Sequence, residues 1–215
     1  MSAVRVKICG LSTEETLAAA LEAGADWIGL VHFPRSPRHV ALERARTLSA
    51  AARGRAERVV LLVDPDDALV AAAVEAVDPD LIQLHGRESP ERVAAIRART
   101  GRRVMKAVGV AGYEDLRLLA PYAAAADRLL LDAKAPPGAP LPGGNGIAFD
   151  WDLLAGVRLP AGTMLSGGLT PETVAEALRR SGVAAVDVSS GVETSPGRKD
   201  PDRIRAFVAA ARGTA

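Results

Sequence analysis

Short runs of valine, isoleucine and leucine alternate with longer alanine-rich stretches along the whole chain. The short runs have the length of buried strands, and the longer stretches repeat apolar residues at helical spacing. The pattern predicts eight strands, at residues 4–9, 27–32, 58–63, 81–85, 104–108, 128–132, 163–166 and 185–189. It predicts helices near residues 14–23, 42–53, 67–77, 90–99, 113–124, 171–180 and 201–212, with a short one near 150–155.

Several predicted helices begin at residues that can cap exposed backbone N–H groups. Ser12 and Glu15 have the spacing of a capping box. Ser89, Thr170 and Asp200 each precede a proline, which favours the first position of a helix.

Eight strand–helix pairs in 215 residues predict a single-domain α/β fold, a (β/α)8 TIM barrel that spans residues 1–215. The alternative is a doubly wound sheet, which usually has fewer strands at this length. A nucleotide-binding sheet of that kind also carries a G-x-G-x-x-G loop after its first strand, and residues 9–14 lack that pattern. The barrel is therefore favoured.

Composition narrows the class of partner. With 27 basic and 26 acidic residues and only 3% aromatic residues, the chain has neither the positive field nor the stacking surfaces that nucleic acid requires. One cysteine excludes an intrachain disulfide and is typical of a reducing compartment. No apolar run approaches the roughly 20 residues of a membrane span. We therefore expect a cytoplasmic protein with a small-molecule ligand.

Cys9 and Asp132 each end an apolar strand. Because side chains alternate along a strand, Arg5, Lys7 and Cys9 share the face that we expect inside the barrel. Strand ends form the ligand-binding face of such barrels. Cys9 is therefore a candidate base or nucleophile, or else a small buried hydrophobe. Asp132 is a candidate proton donor, or else a cap of the next turn. Two such groups flanking one ligand would suit an isomerase.

Glycines and serines follow the last two predicted strands. Gly167 and Gly168 follow the seventh, and Ser189, Ser190 and Gly191 follow the eighth. Glycines let backbone N–H groups approach an anion closely, and barrels often bind phosphate with these two loops. The sequence therefore predicts a phosphate-binding site there.

Four polar residues are candidates for binding the rest of a ligand. Arg38 follows a proline turn and can pair with a carboxylate, unless it is a solvated surface charge. Gln83 and His85 end the fourth strand and are candidates for lining the pocket, although His85 can equally be an ordinary hydrogen-bonded residue. Asp187 has the parity of an inward-facing residue, where it would hold a hydroxyl or amine or be satisfied by the protein.

The longest non-periodic segment, residues 133–149, is rich in proline and glycine. Long loops of this kind are often active-site loops or lids, and the alternative is an inert surface excursion. No cluster has metal-ligand spacing, and there is neither a Walker loop nor a dinucleotide fingerprint. We therefore expect no metal and no nucleotide cofactor.

Together these segments resemble the phosphoribosylanthranilate isomerase family of tryptophan biosynthesis over nearly the whole chain. The resemblance lies in the order of the motifs KICG at 7–10, SPR at 36–38, QLHG at 83–86, LD at 131–132, GGNG at 143–146, FDW at 149–151, SGGL at 166–169, DVSSGVE at 187–193, SPG at 195–197 and KD at 199–200. His32, Arg35 and Asn145 depart from the family pattern, and none belongs to the acid–base pair.

The resemblance implies a cofactor-free Amadori rearrangement of N-(5'-phosphoribosyl)anthranilate to 1-(2-carboxyphenylamino)-1-deoxyribulose 5-phosphate. It implies that Asp132 is the general acid that opens the ribose ring and that Cys9 is the general base at C2. It also implies that Arg38 holds the anthranilate carboxylate and that the two glycine–serine loops hold the phosphate. We further expect Lys7, on the same strand face, to favour the Cys9 thiolate.

Three other functions remain open. A Schiff-base aldolase would use Lys7, Lys106 or Lys134 as its nucleophile. A related sugar-phosphate isomerase of histidine biosynthesis would have a pair of aspartates in the acid and base roles, and the thiol of Cys9 argues against it. A non-catalytic barrel that binds a phosphorylated ligand is the third. The sequence leaves the oligomeric state open between monomer and homodimer.

Overall fold

A computed structural model describes residues 4–136, 138–139, 141, 143, 146 and 148–213. Eight parallel strands close into a barrel in the order in which they occur along the chain, with β1 paired to both β2 and β8. They are β1 (Arg5–Cys9), β2 (Trp27–Val31), β3 (Glu57–Leu62), β4 (Leu81–Leu84), β5 (Arg103–Val110), β6 (Arg128–Ala133), β7 (Met164–Leu165) and β8 (Ala185–Val188). The predicted (β/α)8 architecture is confirmed.

Helices follow the strands and surround the barrel. They are α1 (Glu14–Glu22), α2 (Leu42–Ala52), α3 (Asp67–Val77), α4 (Pro90–Thr100), α5 (Tyr113–Leu116), α6 (Leu119–Ala125), α7 (Val174–Ser181) and α8 (Pro201–Arg212). Two short 3₁₀ helices lie at Trp151–Leu154 and Ser190–Val192, and an antiparallel pair, β9 (Glu193–Ser195) and β10 (Arg198–Lys199), follows β8. None of the helices in the described part of the chain is long and apolar enough to cross a membrane.

Two of the predicted helix starts are confirmed, at Ser89 and Asp200, whose side chains accept hydrogen bonds from the first turns of α4 and α8. The predicted capping box of Ser12 and Glu15 is wrong. Thr13 has the extended backbone of a cap, and its hydroxyl accepts the N–H of Thr16, so α1 begins one residue later.

Two other predicted helices differ from the structure. The helix expected from residue 171 begins only at Val174, because residues 171–173 form a turn in which the Thr170 N–H donates to the Thr173 hydroxyl. The helix expected over 113–124 is divided into α5 and α6. Pro121 explains the division, since it has no N–H for the carbonyl of Arg117 and its ring crowds that position.

Alternation along the strands separates two apolar layers. Outward-facing residues such as Val6 and Ile8 pack against the helices. Inward-facing residues at the strand starts, including Trp27, Leu81 and Met164, close one end of the barrel. Cys9 lies at the opposite end of the interior, as its strand parity predicts. Apolar side chains thus fill the interior at the amino ends of the strands, and the carboxyl ends are left available to a ligand.

Candidate active site

A cavity opens at the carboxyl ends of the strands, with a volume of about 800 Å³ that includes its solvent-open part. Of the predicted site residues, Gly191 alone does not line it. The residues that do are Cys9, Arg38, Gln83, His85, Asp132, Gly167, Gly168, Asp187, Ser189 and Ser190. Gly191 instead packs against the loop after β7, where a Cβ would overlap the carbonyl oxygen of Leu169.

Cys9 ends β1 and is almost completely buried. Gly29 of the neighbouring strand makes room for it, since a Cβ at Gly29 would lie 2.9 Å from Cys9 Sγ and 3.2 Å from Lys7 Nζ. Burial raises the pKa of the Cys9 thiol, and the nearby Asp187 carboxylate raises it further. Lys7 and Lys199 lower this pKa, but the net result is a raised value. Lys7 thus acts in the predicted direction and is outweighed by burial.

Lys7 and Asp187 form an ion pair inside the barrel, with 2.8 Å between Nζ and Oδ1. Burial lowers the pKa of Lys7, but Asp187 and Cys9 together outweigh it and leave the pKa raised, so Lys7 is an ammonium. The Ser166 hydroxyl donates to the other oxygen of Asp187, at 3.2 Å. Asp187 therefore lines the cavity with both carboxylate oxygens already bound by the protein.

Asp132 ends an apolar segment of β6 and belongs to a chain of three side chains. Its Oδ2 lies 3.2 Å from His85 Nε2, and its Oδ1 accepts the N–H of Ala133 at 2.9 Å. His85 Nδ1 lies 3.0 Å from Gln83 Nε2. Gln83 Oε1 is buried and has no hydrogen-bond partner among the described residues. Of the two residues placed at the pocket by sequence, His85 is thus in direct contact with the candidate acid, and Gln83 is connected to it only through His85.

Two loop glycines come very close to Asp132. A Cβ at Gly143 would overlap both Asp132 Oδ2 and His85 Nε2. Gly167 has a φ of +84°, and a Cβ there would lie 2.6 Å from the Ala133 nitrogen. Only a residue without a side chain allows this packing. These glycines therefore shape the surroundings of the carboxyl group.

Arg38 is buried, so its alternative interpretation as a solvated surface charge is wrong. Its Nε and Nη2 bind the two carboxylate oxygens of Glu193 at 2.7 and 2.9 Å. Lys199 Nζ lies 2.7 Å from Glu193 Oε1, and the register of β9 with β10 sets these two residues opposite each other. Burial raises the pKa of Glu193, but Arg38 and Lys199 outweigh it and lower the pKa, so Glu193 is a carboxylate. Reasoning from the individual residues gave Glu193 and Lys199 no role. They appeared in the sequence only as members of the DVSSGVE and KD motifs.

The loops after β7 and β8 meet beside Cys9. Gly167 and Gly168 both have positive φ, at +84° and +65°. Ser189 donates its hydroxyl to the Cys9 carbonyl at 3.2 Å and accepts a bond from Lys199 Nζ at 3.1 Å. The Ser189 hydroxyl therefore ties the loop to β1. The phosphate site expected here stays a prediction.

The segment 133–149 contributes Leu141, Gly143 and Gly146 to the cavity wall, which favours its interpretation as an active-site loop. Asn145, one of the departures from the family pattern, lies outside the described residues. His32 donates from Nδ1 to the Val40 carbonyl at 3.0 Å, a structural contact at the base of the Arg38 loop.

Comparisons with known proteins agree with one another. Residues 6–210 match the family model for N-(5'-phosphoribosyl)anthranilate (PRA) isomerase. The N-(5'-phosphoribosyl)anthranilate isomerase of Azorhizobium caulinodans is 64% identical over 210 residues, covering 98% of this chain and 92% of the relative. That of Cereibacter sphaeroides is 56% identical over 212 residues, covering 99% and 100%.

Among solved structures, the phosphoribosyl anthranilate isomerase of Thermotoga maritima superposes with a TM-score of 0.87 at 37% identity, over 98% of this chain and 99% of that one. A second structure of such an isomerase, in complex with reduced 1-(o-carboxyphenylamino)-1-deoxyribulose 5-phosphate, superposes with a TM-score of 0.85 at 36% identity. It covers 98% of this chain and 99% of that one.

Proposed function

The chain belongs to the N-(5'-phosphoribosyl)anthranilate isomerase family of tryptophan biosynthesis, and we propose that it carries out this isomerisation with Asp132 as general acid and Cys9 as general base. The product would be 1-(2-carboxyphenylamino)-1-deoxyribulose 5-phosphate, formed by an Amadori rearrangement. The observation that carries the proposal is that Cys9 and Asp132, from β1 and β6, line one cavity. A relative with 36% identity binds a reduced form of the same compound, which supports the assignment.

The first step opens the ribose ring. Asp132 gives its proton to the ring oxygen, the bond between that oxygen and C1 breaks, and the nitrogen lone pair forms a protonated Schiff base at C1. The Asp132 carboxylate that remains keeps two hydrogen-bond partners, His85 and the Ala133 N–H. Stabilising the charge that develops on the acid lowers the barrier to the transfer.

The second step removes a proton from C2. The Cys9 thiolate takes that proton, the C2 electron pair forms a double bond to C1, and the Schiff base becomes a neutral enolamine. Ketonisation then adds one proton at C1 and removes one from the C2 hydroxyl. The enzyme has by then lost one proton at Asp132 and gained one at Cys9, so its net protonation is unchanged.

The walls of the cavity suit the two ends of this substrate. One side is apolar, with Val31, Phe33, Leu61 and Val63 next to Cys9, and would accept an aromatic ring. Arg38 lies in the same cavity and would face the anthranilate carboxylate. The glycine–serine loops after β7 and β8 would receive the phosphate.

A Schiff-base aldolase is less well supported. A nucleophilic lysine must be neutral, yet the pKa of Lys7 is raised and its ammonium is paired with Asp187. Lys106 does not line the cavity and is bound to Glu88 at 2.8 Å. Lys134 lines the cavity but is paired with Asp115.

The proposal is tested with freshly prepared phosphoribosylanthranilate, whose aromatic fluorescence should decay as it rearranges. Enzyme-dependent decay that yields the ketose product is the expected result. Decay without that product, or no decay above the buffer rate, would overturn the proposal. Borohydride reduction during turnover should leave the protein mass unchanged, because the isomerase forms no covalent adduct with a lysine, whereas an aldolase would be labelled.

A further inference from the structure

The chain of Gln83, His85 and Asp132 defines where the imidazole proton lies. Gln83 approaches His85 Nδ1 with its amide nitrogen, at 3.0 Å. In this orientation of the amide the NH₂ group donates, and Nδ1 accepts with its lone pair. A neutral imidazole then carries its single proton on Nε2, and this nitrogen lies 3.2 Å from Asp132 Oδ2. His85 is therefore a donor toward Asp132.

Asp132 consequently faces protein donors on both oxygens. His85 donates to Oδ2, and the Ala133 N–H donates to Oδ1 at 2.9 Å. Neither group can accept a proton in this arrangement. Within the described part of the chain, neither partner can take the proton held by Asp132, so the proton is left for an acceptor in the cavity.

We infer that Gln83 and His85 are positioning residues that keep the Asp132 proton available to the substrate, an inference that rests on the proposed role of Asp132 as general acid. Gln83 does this by holding the Nε2–H tautomer of His85. In the proton transfer, the Asp132 O–H bond breaks and an O–H bond forms at the ribose ring oxygen. The imidazole neither gains nor loses a proton.

The opposite tautomer would have the opposite effect. With the proton on Nδ1, His85 Nε2 would present a lone pair to Asp132 and accept its acid proton in a hydrogen bond. That proton would point at His85 instead of the substrate. After transfer, a lone pair would face the new carboxylate where an N–H had stabilised it.

The contacts of Gln83 suit it to control the tautomer of His85 and give it few other roles. Its side chain is fully buried, and its hydrogen bonds among the described residues are with His85 alone, since Oε1 has no partner there. A substitution at Gln83 that reverses donor and acceptor therefore acts on the His85 ring first. Sequence reasoning placed both residues at the pocket as ligand-binding groups and missed this role.

The direct test is the tautomer of His85 in the substrate-free enzyme, measured by ¹⁵N–¹H correlation spectra of the imidazole ring. The chain has three histidines, so the His85 signals can be assigned by their loss in His85→Gln. We expect Nε2 protonated and Nδ1 unprotonated in the natural enzyme. In Gln83→Glu the new carboxylate accepts from Nδ1, so Nδ1 should carry a proton.

Two results would overturn the inference: a protonated Nδ1 in the natural enzyme, or an unprotonated Nδ1 in Gln83→Glu. If Gln83→Glu does not fold, Gln83→Met serves instead, because it has a similar length, no N–H donor and only a weakly accepting sulfur. It should give a mixture of the two tautomers, and an unchanged Nε2–H signal alone would contradict the proposed control.

Kinetics then separate positioning from binding. We expect Gln83→Glu to lower kcat roughly tenfold or more with little change in KM, since the acid and not the ligand contacts are affected. In a His85→Gln background, whose amide N–H can replace Nε2–H, Gln83→Glu should cost far less. A raised KM at unchanged kcat would make Gln83 a ligand-binding residue. Full additivity of the two substitutions would show that Gln83 does not act through His85. Either result would overturn the inference. The spectra are recorded without turnover. A spectrum that contradicts the expected tautomer can therefore be distinguished from an absence of the proposed isomerase activity.

Discussion

Lys7 Nζ lies 2.8 Å from an Asp187 oxygen, and both side chains are buried inside the barrel. Lys7 precedes Cys9 by two residues on β1, and Asp187 is its partner on β8. The pair places a positive charge next to the only thiol of the chain without leaving a buried charge uncompensated. Lys7 therefore contributes both to the stability of the barrel, by compensating Asp187, and to the protonation of Cys9, by lowering the pKa of its thiol.

Replacing Lys7 by methionine should destabilise the protein by about 3–5 kcal/mol, because Asp187 is left as an uncompensated buried charge. The same change should raise the pKa of Cys9 further, because Lys7 lowers it. Chemical denaturation and a titration of thiolate absorbance measure the two effects. Arg117→Met, which breaks an exposed pair with Glu114, is the matched control and should cost less than about 1 kcal/mol. An unchanged Cys9 pKa in Lys7→Met would contradict the predicted coupling.

Cys9→Ala should lower turnover by roughly a hundredfold or more, the usual effect of losing a proton-transfer group. The pH profile of the natural enzyme gives a second check. Since the thiolate is the base and burial raises the thiol pKa, kcat/KM should keep rising with pH through about 8.5, the ordinary thiol value. Near-normal turnover in Cys9→Ala would remove Cys9 from the mechanism, as would a rate independent of pH.

Asp132→Asn should likewise lower turnover by roughly a hundredfold or more, because the amide keeps the shape of the side chain but is not an acid. Steady-state rates and ligand affinity should be measured together, with affinity retained. Asp127→Asn is a useful control, since Asp127 precedes the same strand and accepts the Val104 N–H outside the cavity. A rate close to that of the natural enzyme in Asp132→Asn would exclude Asp132 as the acid.

Arg38→Met should raise KM with a smaller effect on kcat, because it removes a partner for the anthranilate carboxylate and not a proton-transfer group. Lys199 still compensates the charge of Glu193 in this variant. Arg44→Met, which breaks the exposed pair with Glu14, is the matched control for the loss of an arginine. If KM does not change, Arg38 does not bind the substrate.

Gly143→Ala should lower kcat while leaving the fold intact. The three atoms nearest to the new Cβ belong to the ends of two side chains, Asp132 and His85, which must move apart to admit it. Gly112→Ala is the control, because nothing described lies within 4 Å of a Cβ there and its φ of −161° is open to any residue. Rates of the two variants, with thermal unfolding as a check of folding, test the prediction. Equal rates would show that this loop does not shape the acid.

Much of the fold was predictable because its determinants are local. The alternation of Lys7 and Cys9 with Val6 and Ile8 assigned the two faces of β1 correctly. Ser89 was identified as a helix cap from its own neighbours in sequence. One error was a local competition between similar residues, in which Thr13 and not Ser12 became the cap of α1.

The candidate site was predictable residue by residue but not in its pairings. Strand parity and strand ends brought Cys9 and Asp132 to one cavity in the prediction and in the structure. Nothing in the sequence indicated that Glu193, 155 residues away, would bury and hold Arg38.

The chain's own order of apolar and polar residues thus determined the barrel and which side chains face its interior, because strand periodicity and caps depend on neighbouring residues. Closure of the ring decided which of those side chains meet, how deeply each is buried and whether burial or charge prevails at Cys9. These are long-range electrostatic balances, and they exist only once distant strands stand side by side.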